Sequence, residues 1–161
     1  IESEGRELWN YWAFGASLEN QWEYMKMEHC IPMLADAGAH VGIFTDTDSP
    51  TFLLSELTRR QGVYTLPEAI HRITQKSADV LGLKNRGSVK EGWIADLNVI
   101  DYENLETGYP YFVNDFPHGG GRYIVESQGY VATLVGGQVI IENGKHTGNR
   151  PGQVIREFTR G

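Results

Sequence analysis

Bulky apolar and charged residues recur at helical spacing through the first thirty positions. Residues 4–14 and 17–29 are rich in Trp, Leu, Met and Glu. Leu18, Trp22 and Met25, with His29, fall three or four apart and would line one face of a helix. Ser17 stands where an N-cap belongs, with Asn20 in the place a capping box gives to Glu or Gln. The pattern then changes. Cys30-Ile-Pro-Met-Leu-Ala35 is a continuous apolar run that ends in Asp36-Ala-Gly38. That is the pattern of a buried parallel strand entering a loop, and it predicts a buried Cys30 beside it.

Val41-Gly-Ile-Phe44 gives way to the turn-rich Thr45-Asp-Thr-Asp-Ser-Pro50. A helix is predicted over 51–60, with Ser49 or Thr51 near its cap. Leu66-Pro67 opens another, which runs to about Lys76. Pro suits a first helical turn, and Glu68 suits its positive end. A short helical piece over 77–81 ends near Gly82. From about residue 85 glycines punctuate short β-like runs at 94–100, 123–126, 130–135 and 138–142. Only Gly136-Gly137 separates the last two runs, a strong hairpin signal because both residues can take positive φ. Asn143-Gly144 is a second such turn, and 151–161 reads as a tail or edge.

The chain thus reads as an α/β segment, 1–84, followed by a β-rich segment, 85–161. One parallel strand cannot stand alone. It needs hydrogen-bonded neighbours and cover on both faces, and the sequence supplies no second run of that kind.

Composition narrows the class. At 161 residues and 40% apolar the chain can fill a core. Its net charge of −7 comes mostly from the first sixty residues, where ten acids face four bases. No dense cluster of Lys or Arg points to nucleic acid or an anionic membrane surface. No apolar run approaches the ~20 residues of a membrane span. A single cysteine excludes an internal disulfide and a cysteine-built zinc cage, which fits a reducing, cytoplasmic setting. The chain opens on Ile1 without a signal-peptide pattern, as a piece of a longer protein would.

Asp36 is the first candidate for chemistry. A carboxylate at the carboxyl end of a parallel strand sits where α/β enzymes keep their reacting groups. The same residue type serves equally as a helix cap or Asx turn. His40, four residues on, can pair with it as base and orienter or as a metal ligand; a loop histidine with only local partners is the plainer reading. Asp46 and Asp48 lack the third alternate ligand, the Gly and the distant Glu of a calcium loop. His118-Gly-Gly-Gly121 has no Gly-x-Ser-x-Gly to supply a nucleophile and reads as a flexible loop. Residues 137–145 end in Gly-Lys without phosphate-loop spacing and read as a hairpin. The five histidines show neither His-x-His nor His-Glu-x-x-His spacing.

Several runs together resemble one family. They are Leu34-Ala-Asp-Ala-Gly-Ala-His-Val41, Tyr64-Thr-Leu-Pro-Glu-Ala-Ile70, Gln75-Lys-Ser-Ala-Asp-Val-Leu-Gly-Leu83, Gly87-Ser-Val-Lys-Glu-Gly-Trp-Ile-Ala-Asp-Leu-Asn-Val-Ile-Asp101 and Gly129-Tyr-Val-Ala-Thr-Leu-Val-Gly-Gly-Gln-Val139. The chain resembles the carboxyl-terminal third of a metal-dependent amidohydrolase, most closely the branch of the N-acyl-D-amino-acid deacylases. The resemblance implies a (β/α)₈ barrel with a small β-sandwich built from both chain ends. Such a barrel needs about 250 residues. This chain would then supply the last barrel strand and closing helices, and part of the sandwich.

The resemblance also implies roles. Asp36 would take a proton from metal-bound water and pass it to the leaving amine, and would be a candidate metal ligand. His40 would lie behind the metal site or beside the substrate. One or two zinc ions would serve the whole enzyme, with the other ligands outside this chain, which by itself would hold none tightly. The substrate would be a small N-acylated D-amino acid, and the physical partner would be the remainder of the barrel. The alternative is a non-catalytic β-rich binding or assembly module derived from such an enzyme.

Overall fold

The computed structural model describes residues 18–32, 35, 38–43, 45–156 and 158. The chain divides into two compact units, Ile1–Cys30 and Ile31–Gly161. In the first, α1 (Leu18–Lys26) places Lys26 in its last turn, at the negative end of the helix dipole. Two successive turns then close it, with Met27 N–H on the Tyr24 carbonyl and Cys30 N–H on the Met27 carbonyl. The helix expected over 4–14 and the cap at Ser17 lie outside the described residues. Cys30 is half-exposed rather than buried.

The second unit starts with irregular backbone at Ile31, Pro32 and Ala35, where the apolar run predicts a parallel strand. Met33, Leu34 and Asp36 lie outside the described residues. The physical reason is the missing neighbour: every strand pair among the described residues is antiparallel and lies beyond residue 96. An extended run without a partner leaves its backbone groups to water or to turns.

Helix α2 (Ser49–Phe52) continues without a break into a π-helical stretch, Leu53–Arg60. Its wider winding has a local cause. The Thr58 hydroxyl donates to the carbonyl of Leu53, five residues back, at 2.8 Å, and Gln61 N–H reaches Glu56 O across the same interval at 3.0 Å. Leu53, Leu54 and Leu57 are buried here, and with Val63, Tyr64, Ala69, Ala78 and Leu105 they make the core. Helix α3 (Leu66–Ile73) begins as its sequence predicts. Thr65 Oγ1 accepts from Glu68 N–H, and Pro67 occupies the first turn. Arg72 is buried on α3, paired with Glu68 one turn earlier and lying over the Tyr64 ring at 5.0 Å. Helix α4 (Gln75–Leu81) comes next and stops at a left-handed Gly82.

The β-rich part is a meander with two small ribbons. Strands β1 (Leu97–Ile100), β6 (Tyr130–Val135), β7 (Gln138–Glu142) and β8 (Lys145–His146) form one antiparallel sheet in the order β1-β6-β7-β8. β2 (Glu106–Thr107) pairs with β5 (Ser127–Gln128), and β3 (Tyr111–Val113) with β4 (Arg122–Ile124). Both glycine turns form as expected. Gly136 and Gly137 have φ of 55° and 79°, and Asn143 and Gly144 have 47° and 75°.

Arg59 ties the helices to this part. Its guanidinium donates to the carbonyls of Tyr102 and Leu105, the latter at 2.8 Å, and pairs with Glu106. Arg60 joins Glu106 to Glu56 on the outside. On the same seam the Thr51 hydroxyl lies 3.0 Å from both the Ser127 and Tyr130 hydroxyls.

Two glycines differ in what surrounds them. Gly129 has φ of 91°, and a Cβ there would stand 2.7 Å from Leu105 Cα and 3.0 Å from the Asp101 carbonyl. Gly136 faces open space and carries only the φ constraint. Gly136→Ala should therefore cost about 1–2 kcal/mol, and Gly129→Ala clearly more. Urea unfolding that ranks them the other way would contradict this packing.

Asp48 flanks α2 without a side-chain cap bond. Burial raises its carboxyl above the usual range; a backbone hydrogen bond opposes this, and the neighbouring Asp46 carboxylate adds to it. The folded chain holds this proton more tightly than the unfolded chain. The group therefore favours folding below its ordinary pKa, and that advantage disappears as pH rises through the raised folded value. Asp48→Asn should raise the melting temperature at about pH 7 and change it little near pH 3. An unchanged or lower melting temperature at neutral pH would refute it.

Candidate active site

The segment that carries the sequence candidates is short and turn-rich. Asp36 lies outside the described residues, and the described backbone resumes at Gly38. Gly38 has φ of 90° and His40 φ of 48°, a left-handed conformation that few non-glycine residues adopt. Ile43 N–H closes a turn onto the His40 carbonyl at 2.8 Å, and His40 itself is exposed. The imidazole therefore stands on the rim of a tight turn. That placement allows it to meet a ligand or solvent.

The turn does not hang free of the β-rich part. Tyr123 N–H on β4 donates to the Val41 carbonyl at 2.9 Å. Nothing in the sequence hints at this contact, because a backbone N–H carries no residue-type signature. Phe112 and Tyr123 face each other across β3 and β4, their rings edge to face with centroids 5.1 Å apart.

Beyond this turn come Asp46 and Asp48, which sit on the approach to α2. Among the described residues no three His, Cys, Asp or Glu side chains gather closely enough to hold a metal ion. The described part of the chain therefore does not by itself fit a zinc centre. His118 lies in an exposed 3₁₀ turn, Pro117–Gly119, with φ of 60°. His71 on α3 is exposed and lines a cleft between α3 and the β1 end of the sheet.

That cleft has a volume of about 560 Å³. Ile70, Ile73, Leu97 and Ile100 give it apolar walls, and Gln75 and Asn98 add polar groups. His40 does not line it. At its edge Asp96 is committed to structure, accepting from Gly136 N–H and pairing with Arg86. No helix among the described residues is long and apolar enough to cross a membrane.

The chain is similar to known proteins over part of its length. The chain is 30% identical over 105 residues to an N-acyl-D-aspartate deacylase of Alcaligenes xylosoxydans xylosoxydans, which covers 65% of this chain and 19% of that protein. It is 32% identical over 94 residues to a dihydroorotase of Endomicrobium trichonymphae, covering 56% of this chain and 21% of that one. Among solved structures it is similar to a D-aminoacylase mutant in complex with copper chloride. That match has 27% identity and a TM-score of 0.55, over 67% of this chain and 21% of the other. The D-aminoacylase structure that defines a novel subset of amidohydrolases aligns with a TM-score of 0.50 at the same identity, over 62% and 19% of the two chains. The chain thus spans about a fifth of the length of the relatives it matches. Residues 23–141 match the Amidohydrolase family, a stretch that runs from α1 through the His40 turn, the helices and the sheet into β7. The chain belongs to the amidohydrolase family.

Proposed function

We propose that this chain is the carboxyl-terminal part of a zinc-type amidohydrolase that cleaves the amide C–N bond of an N-acyl-D-amino acid. Residues 1–84 would contribute the last strand and closing helices of the barrel, and 85–161 the β-rich segment of its sandwich. The observation that carries the reading is the family match over 23–141, which includes Asp36 and His40, together with likeness to a protein named as an N-acyl-D-aspartate deacylase. Likeness to D-aminoacylase structures supports the same substrate class. We place the enzyme in the cytoplasm, in keeping with its single cysteine.

In this reading Asp36 is the catalytic base and acid. Its carboxylate accepts a proton as water oxygen bonds to the acyl carbon. It then delivers that proton to the nitrogen as the C–N bond breaks. The products are a carboxylate and a free amine. His40, on the rim of the following turn, neighbours the substrate. Zinc, as one or two ions, is assigned to the whole enzyme, with ligands beyond the described residues and Asp36 as a candidate ligand. The remainder of the barrel completes the site.

A second reading rests on the dihydroorotase relatives, one of them 36% identical over 85 residues. It keeps the same bond chemistry but places the scissile amide inside a ring. The choice of substrate separates the two.

Asp36→Asn in the whole enzyme tests the assignment. The variant keeps the side-chain shape and removes the basic carboxylate. Turnover of an N-acetyl-D-amino acid should fall by roughly 10²–10⁴, with the melting temperature within a few degrees of the parent and KM little changed. Near-normal turnover would remove Asp36 from the catalytic machinery.

A further inference from the structure

The contact between the β3–β4 hairpin and the His40 turn has a geometry that points to a role. In an antiparallel pair, facing residues alternate between those that exchange hydrogen bonds and those that do not. Phe112 and Tyr123 face each other, yet Tyr123 gives its N–H to Val41 rather than to Phe112. The N–H therefore points outward from the ribbon, and the ring pair fixes the strand from which it points. On the receiving side, Val41 lies inside the turn closed by Ile43 on His40. His40 is held there at φ of 48°. A non-glycine residue in that conformation carries strain that the bonds of its turn and its neighbours offset.

The hairpin is itself braced. Arg122, next to Tyr123, pairs with Asp115 through bonds of 2.6–3.2 Å and lies over the Phe116 ring at 5.3 Å. The β3–β4 ribbon thus presents an outward donor to the carbonyl of Val41, in the middle of the turn that carries His40.

We propose that Tyr123 is a positioning residue of the hydrolase reaction: its backbone N–H anchors the 38–43 turn and so sets where His40 stands against the substrate. This role rests on the proposed function, in which His40 neighbours the substrate. A side chain displaced by about 1 Å can cost a reaction as much as 10²-fold.

Proline is tolerated on an edge strand where the N–H points away from the ladder. Tyr123→Pro therefore removes the donor to Val41 without breaking the pairing to β3. Tyr123→Ala is its control, since it loses the ring but keeps the N–H. In the whole enzyme, Tyr123→Pro should lower kcat/KM by about tenfold or more relative to Tyr123→Ala. It should add little when His40 is already alanine, because the anchor acts through that residue. Amides of residues 38–43 should exchange with deuterium faster in the proline variant than in the alanine variant. Equal activity of the two variants, or a proline effect that adds in full to His40→Ala, would overturn the proposal. If the proline variant does not fold, the parent enzyme decides. The Tyr123 amide should exchange slowly, and exchange at the rate of a free amide would overturn the anchor. The exchange readouts do not depend on Asp36, so loss of the deacylase reading through an active Asp36→Asn variant is distinguishable from loss of the anchor.

Discussion

The grip of Arg59 on the backbone around Leu105 holds the second unit together. Arg59 is largely buried and donates to two carbonyls, and a hydrogen bond from a charged donor contributes about 1.5–3 kcal/mol. Those carbonyls belong to the turn that leads into β2, and Leu105 there is fully buried. Gly129 packs its backbone against Leu105, and its carbonyl accepts from Asp101 N–H. β6 starts one residue later and pairs with both β1 and β7. Loosening Leu105 would therefore disturb the root of the main sheet as well as a loop. Arg60, exposed on the same helix, adds a surface pair whose share is small beside the buried one.

The same seam bears on function. The π-helical stretch ends at Arg59 and Arg60, and its wider winding sets the angle at which they leave the helix. The helices descend from the segment that holds His40, and the β-rich part supplies the hairpin that meets it. Arg59 links the helices to the turn before β2, and Tyr123 links β4 to the His40 turn.

Local chemistry made much of this legible before any coordinates. Gly136-Gly137 and Asn143-Gly144 specified their turns because positive φ admits few residues. Leu66-Pro67 with Glu68 specified the start of α3, and Gly82 the end of α4, for equally local reasons. The run 30–35 failed as a strand at its described positions because a strand is a property of two segments, and no partner for it lies among the described residues. The run at 123–126 marked β4, which forms over Arg122–Ile124, but β2, β3 and β5 were missed for a related reason: two- and three-residue strands carry no alternation to read. The π-winding goes with a Thr58 hydroxyl bond to the Leu53 carbonyl, five residues back, which no periodicity announces. Of the candidate site, the end of an apolar run and the family resemblance offered Asp36 and His40; Asp36 lies outside the described residues, and His40 stands on an exposed turn. The anchor at Val41 was not legible, since any residue but proline has an N–H to give.

The central question is which amide the whole enzyme opens. Rates of hydrolysis measured side by side for an N-acetyl-D-amino acid, its L-enantiomer and dihydroorotate test this most directly. The D-compound should be cleaved fastest, with release of one free amine per acetate, and dihydroorotate should remain closed. Opening of dihydroorotate faster than cleavage of the D-compound, or hydrolysis of none of the three, would contradict it.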